Sequence, residues 1–187
     1  FYQFNNFLQN PLYLFYIWKG GMSFHGGLFG MIVSIFLFSK KNNLEFYLLA
    51  DYVSLVAPIG LFFGRLANFI NIELIGKITD FPIAIIYPTI DNFPRHPSQL
   101  YEAFFEGFIL FLILLTINLR NNINRKNGFI SGIFLLLYGI FRFIIEFIRE
   151  PDSHIGLIFN FLSVGQLLCI PLIIFGILLK IKKQKYA

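Results

Sequence analysis

The chain has 187 residues, of which 57% are hydrophobic and 19% aromatic, while only 13% are charged. Soluble domains carry roughly 25% charged residues, so this composition excludes an ordinary soluble globular protein. The fifteen Lys and Arg residues outnumber the ten Asp and Glu residues, but they are scattered between long apolar stretches. A nucleic-acid-binding surface concentrates its basic residues in a stripe or patch, so we expect no nucleic acid partner.

Residues 1–19 open the chain with an apolar stretch that polar residues interrupt. The polar residues and a proline come first, namely Asn5, Asn6, Asn10 and Pro11. Three aromatic residues follow, namely Tyr13, Tyr16 and Trp18. Aromatic rings gather where a membrane meets water. We therefore predict that residues 1–19 form an interfacial segment.

Five apolar stretches follow, each a candidate for the roughly 20 helical residues needed to cross a bilayer. Two of them are too short to span unless they take in neighbouring ionisable residues. The first, 20–39, and the fifth, 155–179, contain no formally charged residue. The other three, 52–64, 103–119 and 129–141, have ionisable residues within or beside them, namely Asp51 or Arg65, Glu102 and Glu106, and Arg142 with Glu146. We predict an all-α integral membrane protein with about five transmembrane helices, forming a single domain over 1–187.

The basic residues fall unevenly on the two sides of these spans. Nine follow the first, third and fifth spans, four lie on the opposite side, and two lie inside spans. The nine are Lys40, Lys41, Arg120, Arg125, Lys126, Lys180, Lys182, Lys183 and Lys185, and the four are Lys19, Lys77, Arg95 and Arg149. Because Lys and Arg accumulate on the cytoplasmic side, we predict a cytoplasmic C-terminus and an external loop at 72–97.

With this orientation, the polar residues of four spans come to one depth. They are His25 in the first span, Arg65 and Asn68 in the second, His96, Tyr101 and Glu102 in the third, and Arg142 and Glu146 in the fourth. Ionisable residues inside a membrane are costly and mark functional sites. We therefore expect a polar cavity that opens toward the outer leaflet.

Two arginines are the main candidates for ligand binding in this cavity. A guanidinium group carries a permanent charge, and its planar fork suits a phosphate group. Two such groups at headgroup depth favour a phospholipid headgroup as ligand. The alternative for Arg142 is a structural ion pair with Glu146, one helical turn away, whereas Arg65 has only Glu73 and the acids of the third span as partners.

His25 is the single titratable group of its span, and a neutral imidazole is a natural general base near pH 7. A lone histidine in a helix is more often a hydrogen-bonded packing residue, so both interpretations stay open. The glycine pairs Gly26 with Gly30 and Gly60 with Gly64 favour close helix packing. Cys169 is interpreted as a small packing residue, and no motif for a metal or a cofactor occurs.

Five sequence blocks together resemble the bacterial prolipoprotein diacylglyceryl transferases. They are SFHGG at 23–27, GRLANFINIELIG at 64–76, RHPSQLYEAFFEG at 95–107, YGIFRFIIEFIREPD at 138–152 and SVGQLLCIPLI at 163–173. The similarity runs from about residue 10 to the end, with Ala67 and Ile72 standing where the family pattern has glycine. Family members have seven helices, so the resemblance implies that this chain lacks the first two.

The resemblance implies a reaction in the bacterial inner membrane, with the active site toward the periplasm. The diacylglyceryl group of phosphatidylglycerol passes to the lipobox cysteine thiol of a preprolipoprotein, a thioether forms, and glycerol 1-phosphate leaves. By the same resemblance, His25 and Arg142 are catalytic and Arg65 binds phosphatidylglycerol. Residues matching positions that support the substrate site are Asn68, Glu73, Gly76, Tyr138 and Glu146.

Two other interpretations remain open. A permease could use the same cavity to pass an anion or a lipid, although the spans show no internal repeat of the kind that transporters often carry. A nonfunctional remnant of a longer enzyme is the other, and the retained polar residues argue against it. The partners we expect are phosphatidylglycerol, the lipobox peptide and the lipid bilayer.

Overall fold

A computed structural model describes residues 24–120, 126–150, 157–158 and 162–181, with backbone only at 24–26, 28, 157–158 and 181. The predicted interfacial segment 1–19 lies outside these residues. Contacts divide the chain into two units, Phe1–Phe46 and Tyr47–Ala187, each of which is described by itself. The single domain over 1–187 stays a prediction.

The first unit contributes helix α1, Phe24–Asn42. Lys40 and Lys41 lie in its last turn, where cations interact favourably with the helix dipole. The chain leaves the helix at Asn43, whose φ of 53° is the left-handed conformation that commonly ends helices. Ser39 closes this end because its hydroxyl donates a 2.7 Å hydrogen bond to the Leu44 carbonyl.

The second unit contains four longer helices and two short strand pairs. The helices are α2, Phe46–Ile70, α3, Ser98–Arg120, α4, Phe129–Ile145, and α5, Val164–Ile181. The strands are β1, Ile85–Ile86, with β2, Pro94–Arg95, and β3, Leu157–Ile158, with β4, Leu162–Ser163; both pairs are antiparallel. Within the described residues, α2 and α3 are long and apolar enough to cross a membrane, while α4 and the α5 segment Val164–Lys180 are shorter apolar helices.

The helix boundaries confirm part of the span predictions and correct one of them. Helix α2 takes in both Asp51 and Arg65, and α3 begins at Ser98, so it includes Glu102 and Glu106 as expected. The fifth span was predicted from residue 155, but α5 begins only at Val164. The prediction is wrong there because an apolar segment preceding the helix pairs as strands β3 and β4, which hydropathy alone does not distinguish from helix.

Helix α3 contains a π-helical segment, Ala103–Ile109, between two α-helical segments. Its buried residues recur every four positions, at Ser98, Glu102, Glu106, Leu110 and Leu114. In a regular α-helix each step of four residues turns about 40° past a full circle, so four steps would carry the stripe about 160° around the helix. The wider π-helical turn reduces this drift. Glu102 and Glu106 are therefore both buried on the inner face of α3.

Glycines set the closest contacts between helices. A Cβ built at Gly107 of α3 would lie 2.8 Å from Phe62 Cα in α2, and one at Gly176 of α5 would lie 2.7 Å from the Gly132 carbonyl oxygen in α4. Membrane helices use small residues in this way to bring their backbones together. A Cβ at Gly30, Gly60 or Gly64 meets no atom within 4 Å. The close packing predicted for the pair Gly60 and Gly64 is thus wrong among the described residues, whereas the surroundings of Gly26 in the other pair lie outside them.

The Asp51 side chain of α2 is hydrogen-bonded to the start of α4. Its side chain is almost fully buried, and it accepts hydrogen bonds from the Gly128 backbone N–H at 2.9 Å and the Ser131 backbone N–H at 2.8 Å. The Ser131 hydroxyl adds a third bond at 2.7 Å. Gly128, the residue before α4, has no side chain to cap the helix, so the Asp51 carboxylate satisfies these N-terminal donors from the neighbouring helix.

We expect Asp51→Asn to lower the free energy of unfolding by about 2 kcal/mol, because an amide N–H₂ would face backbone donors that need an acceptor. Thermal unfolding in detergent measures the loss. Asp80→Asn, at an exposed position, is the control and should leave the melting temperature unchanged. Equal melting temperatures for the two variants would contradict this role of Asp51.

Backbone hydrogen bonds join the 72–97 loop to the residues that follow α4. The Lys77 backbone N–H donates to the Ile148 carbonyl at 2.9 Å, and the Glu150 N–H donates to the Ile75 carbonyl at 3.1 Å. The Gly76 N–H donates to the His96 carbonyl at 3.0 Å, and a Cβ at Gly76 would overlap that carbonyl. Position 76 therefore requires glycine. The backbone of the loop is hydrogen-bonded to the residues that follow α4.

Candidate functional site

Ionisable residues from α2, α3 and the end of α4 meet in a single network. Its members, which we call the arginine–glutamate cluster, are Arg65, Glu102, Glu106, Arg142, Glu146 and Arg149. The cluster contains three guanidinium groups and three carboxylates, so its formal charges balance. Residues that the sequence analysis assigned to one depth on three different spans are thus brought into contact.

Glu102 is the centre of this cluster because it makes the shorter contacts to both arginines of the spans. Its Oε2 lies 2.9 Å from Arg65 Nε, and its Oε1 lies 2.5 Å from Arg142 Nη1. The Glu102 side chain is fully buried, whereas Arg65 and Arg142 retain 15% and 11% exposure. A buried carboxylate needs such partners, because an unpaired charge in this environment would be strongly destabilising.

Glu106 strengthens the same connection one turn further along α3. Its Oε2 lies 3.3 Å from Arg65 Nη2, and its Oε1 lies 3.7 Å from Arg142 Nη1. Its side chain is also fully buried. Of the partners that the sequence left open for Arg65, the acids of the third span are therefore the ones in contact, and the Glu73 residue is exposed.

Glu146 holds Arg142 from the other side. Its Oε2 lies 2.8 Å from Arg142 Nη2, and Arg149 Nη1 lies 3.7 Å from the same oxygen. This confirms the expected contact between Arg142 and Glu146. The Ser163 hydroxyl donates a 3.0 Å hydrogen bond to Glu146 Oε1, which links the pair to the start of α5.

The arginines use only part of their hydrogen-bonding capacity. A guanidinium group has five N–H donors. Among the described residues, the partners of Arg65 contact Nε and Nη2, and those of Arg142 contact Nη1 and Nη2. The acidic residues around them are already paired, and no group of three or more His, Cys, Asp or Glu residues in the described chain is arranged to hold a metal ion.

The other predicted site residues have separate surroundings. Tyr138 is buried in α4, one turn before Arg142, and stacks on Phe134 with ring centroids 5.8 Å apart. Asn68 precedes the 72–97 loop, and its backbone carbonyl accepts a 2.8 Å bond from the Glu73 N–H. The Glu73 carbonyl accepts a bond from the buried Gln99 side chain. None of Asn68, Glu73 and Gly76 contributes an ion pair to the cluster among the described residues.

His25 belongs to α1, and its side chain lies outside the described part of the structure. The prediction that it acts as the general base is therefore untested by the geometry. Its place in the sequence, inside the block SFHGG, remains the basis for that role.

Arg95 organises the 72–97 loop and was not singled out as a site residue from the sequence. Its Nη2 lies 2.6 Å from Asp91 Oδ2, and its Nη1 donates to the Gly76 carbonyl and to Glu150 Oε2, both at 3.2 Å. The hydrogen bonds from Arg95 to Asp91 hold the pKa of the Asp91 carboxyl below its usual value. Arg95 thereby joins the loop to the residues that follow α4.

Membrane-length apolar helices and a buried arginine–glutamate cluster define a membrane protein with a polar site between its helices. A family model described as prolipoprotein diacylglyceryl transferase matches residues 1–182. The chain belongs to the prolipoprotein diacylglyceryl transferase family.

Curated relatives agree with this assignment. A Photobacterium profundum protein is 52% identical over 185 residues, covering 99% of this chain and 68% of its own length. An Idiomarina loihiensis protein is 50% identical with the same coverage, and an Aeromonas hydrophila protein is 53% identical over 96% of this chain and 64% of its own length. All three are named phosphatidylglycerol–prolipoprotein diacylglyceryl transferase. The chain thus spans about two thirds of the length of these relatives.

Proposed function

We propose that this chain transfers the diacylglyceryl group of phosphatidylglycerol to the lipobox cysteine thiol of a preprolipoprotein. The observation that carries the proposal is the pair of arginines, Arg65 and Arg142, which the buried carboxylate of Glu102 holds together between three helices. The names of the relatives supply the two substrates. The fixed pair of guanidinium groups suits the phosphate that joins the two halves of the lipid.

In this reaction the thiol sulfur attacks the glyceryl carbon that carries the phosphate oxygen. The carbon–oxygen bond breaks as the carbon–sulfur bond forms, and glycerol 1-phosphate leaves with the bonding electrons. The leaving phosphate gains negative charge, which cations fixed in a water-poor site stabilise more strongly than water would. Arg65 binds the phosphate of the lipid, and Arg142 stabilises the charge that develops as the bond breaks.

The thiol must lose its proton before or during attack, because a cysteine with a pKa near 8.5 is mostly protonated at neutral pH. We assign that proton to the His25 imidazole, on the family resemblance. In His25→Gln, transfer at pH 7 should fall and the residual rate should rise steeply with pH, since hydroxide then supplies the missing base. Unchanged transfer at pH 7 would reject the assignment.

The remaining predicted residues support the substrates around this pair of arginines. Glu146 orients Arg142, and Tyr138 lies one turn from it in α4. Asn68, Glu73 and Gly76 shape the junction between α2 and the 72–97 loop, where the headgroup enters. The contacts of the Asn68 and Glu73 carbonyls and of the Gly76 N–H support this assignment, because they order the backbone at that junction.

In the membrane arrangement that we propose, this chain contributes five helices of a seven-helix family fold in the bacterial inner membrane. The site and the 72–97 loop face the periplasm, and the C-terminus is cytoplasmic. The distribution of basic residues along the sequence supports this orientation. Phosphatidylglycerol reaches the site from the bilayer, and the lipobox peptide reaches it from the outer leaflet.

The test of the proposed function is a transfer assay on purified protein in detergent with phosphatidylglycerol and a lipobox-cysteine peptide. Thioether-linked peptide and released glycerol phosphate are both measured. Arg65→Ala should abolish both products, whereas Arg120→Ala, at an exposed position in the last turn of α3, should not.

If this chain is inactive, the assay is repeated on a chimera that carries the remaining third of a relative. Intact phosphatidylglycerol that nevertheless crosses vesicle membranes would favour the permease. No transfer from either protein would contradict the proposed function, as would normal transfer by Arg65→Ala.

A further inference from the structure

The start of α5 reaches into the arginine–glutamate cluster through a hydrogen bond that the family resemblance does not assign. The Ser163 hydroxyl donates to Glu146 Oε1 at 3.0 Å, and Glu146 Oε2 lies 2.8 Å from Arg142 Nη2. One side chain therefore separates Ser163 from the arginine that we place at the leaving phosphate. Ser163 and Glu146 are 7% and 9% exposed, so water competes little for this bond.

Ser163 is itself held by the helix that it caps. The Ser163 oxygen accepts the Gln166 backbone N–H at 3.1 Å, and the Ser163 N–H donates to Gln166 Oε1 at 3.0 Å. This reciprocal arrangement is a capping box, which fixes the first turn of a helix. Because the Ser163 oxygen accepts the cap hydrogen bond, its own hydrogen remains available and is directed at Glu146.

Gly165 leaves the space that the Glu146 carboxylate occupies. A Cβ built at Gly165 would lie 2.6 Å from Glu146 Oε1 and 2.8 Å from its Cδ. The atoms it would strike are the end of a flexible side chain, which can move away without displacing a backbone. A methyl group at 165 would therefore push the carboxylate from Ser163 while leaving α5 intact. The first turn of α5 also favours a negative charge, because its backbone N–H groups point toward it.

We propose that Ser163 and Gly165 are positioning residues that hold the Glu146 carboxylate, and through it the Arg142 guanidinium, in the orientation needed for phosphate departure. The inference rests on the proposed function and deepens it. Neither residue touches the substrate in this proposal. Their effect reaches the reaction only through the fork of Arg142, whose Nη1 pairs with Glu102 and Glu106 and whose Nη2 pairs with Glu146.

The decisive variant is Gly165→Ala. Alanine is the better helix former, so α5 itself should stay intact, and thermal unfolding checks that the variant is folded at the assay temperature. Transfer should fall about 100-fold, as expected when a catalytic group moves by about an ångström. The loss should appear mainly in kcat, because the oriented guanidinium acts on charge that develops in the transition state. Gly60→Ala is the matched control, since a Cβ at Gly60 meets nothing within 4 Å.

Ser163 variants separate positioning from capping. Ser163→Ala removes the bond to Glu146 and should lose transfer, whereas Ser163→Thr keeps a hydroxyl and should restore it. Gln166→Ala breaks the capping box but leaves the Ser163 hydroxyl. It should therefore lower the melting temperature. At a temperature where both proteins are folded, its transfer rate should stay within a few-fold of the parental rate. A purely structural role would instead make the Gln166 and Ser163 variants lose transfer together.

Two outcomes overturn the inference. The first is an active parent chain whose Gly165→Ala variant transfers at the parental rate. The second is independent of activity, so it decides the inference even where neither the parent chain nor the chimera transfers, the result that contradicts the proposed function. It is a cycle of Ser163→Ala, Glu146→Gln and the double variant in thermal unfolding. Melting-temperature shifts that simply add would show no coupling between the two side chains, whereas a smaller combined shift supports it.

Discussion

Arg142→Ala should lower the rate of diacylglyceryl transfer at least about 100-fold, which is the typical loss when one fixed donor to a developing charge is removed. Arg142 contacts Glu102 at 2.5 Å and Glu146 at 2.8 Å, so its guanidinium group is held at two points. Arg142→Lys should lose most of the activity too, because a single ammonium group cannot reproduce this planar, two-sided geometry. Initial rates of thioether formation measure both variants.

Removing Arg142 also leaves buried carboxylates with less compensating charge, which lowers stability by itself. The double variant Arg142→Ala/Glu146→Gln removes one charge of each sign and separates the two effects. Its melting temperature should recover relative to Arg142→Ala, and its transfer rate should not. Recovery of transfer in the double variant would show that Arg142 matters only as a counter-ion.

Gly107→Ala should damage both the fold and the reaction, although it adds a single methyl group. The added Cβ would lie 2.8 Å from Phe62 Cα and 3.0 Å from Phe62 N, so the atoms that must yield are backbone atoms of α2. Overpacking of this kind costs about 1–3 kcal/mol. It also separates α2, which carries Arg65, from α3, which carries Glu102 and Glu106.

Thermal unfolding and transfer rates test the Gly107 prediction, again with Gly60→Ala as the substitution into open space. We expect a lower melting temperature and a transfer rate reduced about 100-fold, since Arg65 would move relative to Arg142. A Gly107→Ala protein with the stability and transfer rate of the Gly60 variant would show that the contact between α2 and α3 accommodates the added methyl group.

The sequence predicted those parts of the structure that depend on composition and short spacing. Long apolar stretches placed α2, α3 and α4, and the cost of charge in a membrane identified Arg65, Glu102, Arg142 and Glu146 before their contacts were known. The four-residue spacing of Arg142 and Glu146 predicted their ion pair correctly. Each of these inferences rests on residues that are close in sequence or on one property of a whole segment.

Features that depend on contacts between distant residues were not predicted. The inner face of α3 repeats every four residues, yet nothing in that spacing alone distinguishes a π-helical turn from a strongly drifting α-helix. The start of α5 was placed too early because an apolar strand and an apolar helix have the same composition. The pattern Ser163-x-x-Gln166 before an apolar run was a readable capping signal, but only the structure shows that its hydroxyl reaches Glu146.

The backbone conformation of Ile72 determines how a glycine at this position of the 72–97 loop would change stability. Its φ of 56° is left-handed, a conformation that costs an L-residue about 1–2 kcal/mol. Glycine would relieve that cost in the folded chain, but it would also give the unfolded chain more conformational freedom, worth about 0.5–1 kcal/mol. The second effect is about half of the first, so it offsets the first only in part. The hydrogen bond from the Glu73 N–H to the Asn68 carbonyl holds the turn around Ile72. Ile72→Gly is thus expected to raise the free energy of unfolding by about 1 kcal/mol or less, while the backbone turn itself is kept.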